Sequence, residues 1–99
     1  MYVEVVAGTS RVRDGENLKA LSVRVDDLAS LASSLGSLGS VEGDHVWLDI
    51  AQLRVGAQSG IAADAVEGWV AGFEGMIGYA AKSGWLNDDG TKVRAHIEP

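Results

Sequence analysis

Apolar and polar positions change period several times along this chain, and each change predicts a boundary. The opening YVEVVAG is β-branched and half-alternating, and Gly8-Thr9-Ser10 bounds it, so it predicts a strand. Asp14-Gly15 marks a turn. The stretch from Leu18 to Leu35 carries two periods at once. Leu18, Leu21, Val25, Leu28, Ala32 and Leu35 follow spacings of three and four, which suit one long helix, yet Leu21, Val23 and Val25 alternate with Ser22 and Arg24. Asp26 is a good N-cap, so the pattern resolves best as a strand over 18–25 and a helix over 27–35 that stops at Gly36.

SLGSLGSVEGD is a Gly/Ser-rich connection. In HVWLDI, Val46, Leu48 and Ile50 alternate with His45, Trp47 and Asp49, the pattern of a half-buried strand, and AQLRVGA after it reads as a short helical piece. Asp64 can cap a long helix that runs to Lys82 and ends at Ser83-Gly84. Asn87-Asp88-Asp89-Gly90 is a turn cluster, and KVRAHIE alternates again as a last strand. The sum is a single α+β domain over 1–99: a small mixed or antiparallel sheet of three to four strands, with two main helices packed on one face.

The long helix carries two faces. Val66, Trp69, Val70, Phe73, Ile77 and Ala80 fall within roughly 100° of one another and predict the core side. Gly68, Gly72 and Gly75, joined by Tyr79, cluster on a separate stripe, with Gly78 at its margin. A glycine in a helix interior costs about 0.5–1 kcal/mol against alanine, so a stripe of them predicts close approach of another backbone. The approaching element is the N-terminal segment or first helix of this chain, a second copy or a ligand; the bland alternative is a glycine-rich composition that has drifted onto a tolerant surface which nothing touches.

Composition narrows the classes. Ninety-nine residues with 46% hydrophobic and 22% charged positions are those of one packed domain, too small for two lobes around a cleft. The net charge is -6, and residues 26–99 hold eleven of the fourteen acidic groups against four basic ones, which disfavours binding to a phosphate backbone. Arg11, Arg13, Lys19 and Arg24 leave the N-terminal quarter mildly basic. Cysteine is absent, so thiolate chemistry and disulfides are excluded and a reducing cytoplasm is the expected compartment. The first residues do not read as a signal peptide, and no apolar run approaches the roughly 18 residues of a membrane span. The Ala-, Val- and Gly-rich composition, with arginine ahead of lysine, is that of a GC-rich bacterial genome.

Candidate chemistry is sparse. Strand parity places His45, Trp47 and Asp49 on one face of their strand, and Arg94, His96 and Glu98 on one face of the last. Were those strands neighbours, His45, His96, Asp49 and Glu98 could converge as a proton-transferring set or a two-histidine, one-carboxylate metal site. The bland alternative is a solvated sheet face. Trp47 on that nominally polar face is either covered or an anchor for a partner. The turn at 87–90 lacks the ligand spacing of a calcium loop, and the Gly/Ser connection lacks the lysine of a phosphate loop.

The sequence therefore predicts a non-catalytic, small, acidic cytoplasmic protein that works by association, as a homodimer or an accessory subunit of a bacterial assembly. Its expected interface is Gly68, Gly72, Gly75, Tyr79 and Trp47. One alternative is a small enzyme, cofactor-free or metal-assisted, using the strand-borne histidines and carboxylates. Another is a binder of an apolar small molecule near Trp69, Phe73 and Trp85. No cofactor, nucleic acid or membrane is expected as a partner.

Overall fold

Six strands form one sheet in the computed structural model, which describes residues 1–6 and 8–98. They are β1 (Tyr2–Val6), β2 (Thr9–Arg13), β3 (Ser22–Val25), β4 (Gly39–Glu42), β5 (His45–Asp49) and β6 (Lys92–Glu98), in the order β2-β1-β3-β6-β5-β4. β1 runs parallel to β3 and β3 parallel to β6; the remaining pairs are antiparallel, so the sheet is mixed. The helices are α1 (Leu31–Leu35), α2 (Ile50–Gln58) and α3 (Val66–Lys82), with short 3-10 turns leading into α1 and α3. In the β4-β5 hairpin Glu42 pairs with His45, which leaves Gly43 and Asp44 as a two-residue turn. Gly43 sits at φ 60, a left-handed position that glycine takes without strain.

Alternation decides the core. Val3 and Val5, Val23 and Val25, Val46 and Leu48, and Val93 and Ala95 all point to one buried face of the sheet. Leu31 and Leu35 of α1, Leu53 and Ala57 of α2, and Trp69, Phe73 and Ala80 of α3 meet them there. Each fully buried side chain of this size stabilises the fold by about 1.5–3 kcal/mol. The sheet curls around this core, because α1 packs against β1 and β2 at one edge and against β4 at the other.

The α+β class of the sequence reading holds, and its finer architecture is corrected. The described residues form six strands where three to four were expected, in a curled sheet, and three helices where two were expected on one face. The two additional strands, β2 and β4, are the edges. TSRVR and GSVE carry one valine each, since an edge strand with a solvated side has little apolar surface to bury. The strand expected over 18–25 begins only at Ser22. Before it, the carbonyls of Asn17 and Ala20 accept from the amino group of Met1, at 2.8 and 3.1 Å, and Leu18 turns toward α3. The cap of the following helical segment is Asp27, one residue later than expected, with Oδ1 accepting from the Ala29 amide at 3.0 Å.

Candidate functional site

The short β3 leaves a notch in the sheet. It pairs with β6 only through Ser22–Arg24 against His96–Glu98, so the first half of β6 has no partner on that side from β3. The chain leaving α3 fills part of the gap. Gly84 adopts φ 77, the Gly84 amide donates to Ala81 at 3.2 Å and the Trp85 amide to Ala80 at 2.9 Å, which is a left-handed glycine stop. The turned chain then lies along β6: the Arg94 amide donates to the Trp85 carbonyl at 2.8 Å, and the Asn87 amide to Lys92 at 3.1 Å.

Between this return, α3 and residues 18–21 runs a groove of about 640 Å³. Leu18, Leu21, Met76 and Ala80 give it apolar walls, and Gly75 leaves its α3 side bare, since a β-carbon built there would meet nothing within 4 Å. Tyr79 and Trp85 stand beside it in an edge-to-face pair, with centroids 5.7 Å apart, and remain 64% and 38% exposed. The placement of Trp85 directly after the αL stop turns it outward, while Leu86 pairs with Val93 and packs against the core. The groove continues onto the outer sheet face past Trp85, Arg94 and His96 toward Asp44 and His45.

The interface residues expected from sequence fall in different surroundings. Gly75 and Tyr79 line the groove. Gly72 is covered by this chain, since a β-carbon there would lie 2.5 Å from Leu18 Cδ1. Gly68 and Gly78 face open space. Trp47 is half-buried on the outer face, its Nε1 donating to Glu42 Oε2 at 3.1 Å and its ring edge-on to His45.

β5 and β6 are neighbours, and His45 stands directly opposite His96 in the ladder. The carboxylates do not join them as one group. Asp49 pairs with Lys92 four residues along, about 13 Å away at the rise of a strand, and its Oδ1 caps α2 by accepting from the Gln52 amide at 3.0 Å. Glu98 Oε1 lies 2.9 Å from His96 Nε2, while its Oε2 accepts from Arg24 Nε at 3.3 Å. The His96 hydrogen bond, ahead of the charges of His96 and Arg24, holds the Glu98 carboxyl below its ordinary value. His45 has Asp44 Oδ1 at 3.3 Å from Nδ1, and its Nε2 is shielded from solvent without a hydrogen-bond partner, with Glu42 Oε1 3.9 Å away. Among the described residues no three His, Asp or Glu side chains are grouped to hold a metal ion.

Trp69 and Phe73 are buried and stack at 5.2 Å, and Trp69 Nε1 donates to the Gly15 carbonyl at 2.7 Å. Both belong to the core cluster, and neither lines the groove beside Trp85. Sequence reasoning missed Leu18, Lys19, Leu21 and Arg94 as groove residues. Their one signal was that Leu18 breaks the Leu21-Val23-Val25 alternation while sharing its helical spacing.

No protein-family model, curated protein or solved structure matches the chain. None of the helices described is long and apolar enough to cross a membrane.

Proposed function

We propose that this protein is a non-catalytic module that works by association, taking an apolar segment of a partner protein into the groove between α3 and residues 18–21. The observation that carries the reading is the exposed Tyr79–Trp85 pair beside an apolar groove left open at Gly75. Large aromatics at an open apolar surface are the side chains that dominate binding energy at protein interfaces, because they desolvate much area for little entropy. The outer face supports a solvated role for its ionisable groups: Asp49 serves as a helix cap and Glu98 is shared between His96 and Arg24.

The test is selection of a displayed random peptide library on the intact chain, with Gly75→Trp as the blocked form. Gly75 is exposed and unobstructed, so the bulky side chain is accommodated without disturbing the core; an unchanged melting temperature checks this. Peptides that bind the wild type and lose binding to Gly75→Trp support the reading. Equal binding to both forms, or no selected peptide at all, sinks it. Sedimentation of the chain alone separates a foreign partner, which leaves it monomeric, from a second copy.

A further inference from the structure

We infer that the segment this groove takes is acidic as well as apolar, its carboxylates meeting Lys19 and Arg94 while its apolar side chains lie against Leu18, Leu21 and Met76; this rests on the groove being the binding surface proposed above. The chain holds fourteen carboxylate side chains against eight lysines and arginines, yet no aspartate or glutamate lines the groove among the described residues, whereas Lys19, Arg94 and His96 do. The local charge is thus opposite to that of the molecule.

The neighbouring charges do not cancel it. Arg13 and Arg24 are engaged, with Glu4 at 3.2 Å and Glu98 at 3.3 Å, but neither Lys19 nor Arg94 has a carboxylate within salt-bridge distance among the described residues. His96 is already occupied by Glu98, whose charge is shared with Arg24. Among the described residues Asp44 is the one carboxylate that lines the continuation of the groove onto the sheet, where it sits against His45; Glu98 lies behind His96, shared with Arg24. The register fixes Arg94 on the outer face beside the groove, because Val93 and Ala95 point into the core on either side of it. Its side chain therefore stands at the rim, where a planar guanidinium can take a carboxylate through two hydrogen bonds. The walls below are hydrocarbon, so a segment presenting apolar residues inward and carboxylates outward satisfies both. A basic segment would meet like charge at the rim.

The experiment compares the same displayed random peptides on the wild type, on the double variant Lys19→Glu with Arg94→Glu, and on Gly75→Trp. Both reversed residues are exposed cations with no ion pair among the described residues, so the double variant should fold, with its melting temperature as the check. Wild-type selections should be enriched in Asp and Glu among large apolar residues. They should bind the double variant about ten-fold or more weakly, and weaken with added salt. Selection on the double variant should enrich Lys and Arg in place of Asp and Glu. An absence of acidic enrichment, or unchanged affinity on charge reversal, overturns the inference. If binding is lost on Gly75→Trp but indifferent to charge reversal, only the acidic character fails. If binding survives Gly75→Trp, the groove itself is not the surface and both readings fall. Decanoate binding more tightly than every selected peptide would assign the groove to a free amphiphile and overturn the proposal.

Discussion

Gly56 of α2 and Gly75 of α3 are both interior helix glycines, yet a β-carbon on the first would lie 2.8 Å from Val12 Cγ2 and one on the second would meet nothing within 4 Å. The same contrast separates two regions. Around α2, backbone comes close to other chain: Gly15 against Ala57, Gly56 against Val12 of β2, with Trp69 reaching from α3 to bond the Gly15 carbonyl. Along the far side of α3, Gly68, Gly75 and Gly78 stand open and only Gly72 is met, by Leu18. In the first region the missing side chains are used for packing within the chain. In the second, the chain leaves that space unfilled, and at Gly75 the space forms one side of the groove. A glycine in a helix therefore says little until its neighbours are known.

The largest expected effect lies in the packed region. Trp69→Ala removes a buried ring stacked on Phe73 together with the bond to Gly15, and should lower stability by about 3–5 kcal/mol in denaturant unfolding. Tyr79→Ala, on the open side, should change it by less than about 0.5 kcal/mol, because the ring is mostly exposed. Equal losses from the two would erase the distinction between the regions.

Gly15→Ala is the next step down. Its β-carbon would come within 2.9 Å of the Ala57 carbonyl oxygen, a backbone atom that cannot swing aside, so α2 must shift and about 1–3 kcal/mol should be lost. A neutral or stabilising Gly15→Ala, read by the same unfolding curves, would mean that the approach of this turn to α2 is slack.

Part of this was legible in the sequence. The strands that are half-buried announced themselves by period two: Val46 and Leu48 in β5, Val93 and Ala95 in β6, Val23 and Val25 in β3. The wheel of α3 placed Trp69, Phe73 and Ala80 inward, where they are. What stayed hidden depends on tertiary pairing. β2 and β4 lack a period because their surface is mostly solvated, and the adjacency of His45 and His96, required for any joint chemistry, follows from strand order alone. The glycine stripe was visible as a stripe. That Leu18 covers Gly72 and leaves Gly75 bare follows from how residues 17–20 are tied to Met1, which no local pattern encodes. Lys19 and Arg94, seventy-five positions apart, meet one groove for the same reason.

On the open side, Gly75→Ala and Gly78→Ala should each raise stability by about 0.5–1 kcal/mol, since the added methyl meets no neighbour and the unfolded chain loses freedom. Thermal unfolding of both variants decides this. A loss in either would show that something already occupies the stripe in solution, and a loss that grows with protein concentration would identify it as a second copy.

The smallest effect is a pH dependence on the outer sheet face, where Glu98 is bonded to His96. Glu98 is held below its ordinary value, chiefly by the His96 hydrogen bond, so in acid the unfolded chain takes up a proton more readily there than the folded one. Its contribution to stability is full above the ordinary glutamate range and is lost as the pH falls through the lowered value. His96→Ala removes the main cause and leaves Arg24, so the Glu98 titration followed by NMR should move upward while keeping part of its depression. Asp89 supplies the control. Its carboxyl is lowered by the Thr91 hydroxyl and then by the Thr91 amide, at the turn before β6, and should not respond to His96→Ala. If Asp89 moves with Glu98, the variant has disturbed the return of the chain into β6 and not a local bond; if Glu98 does not move, the His96 contact is not formed in solution and the rim of the groove is more open than its geometry indicates.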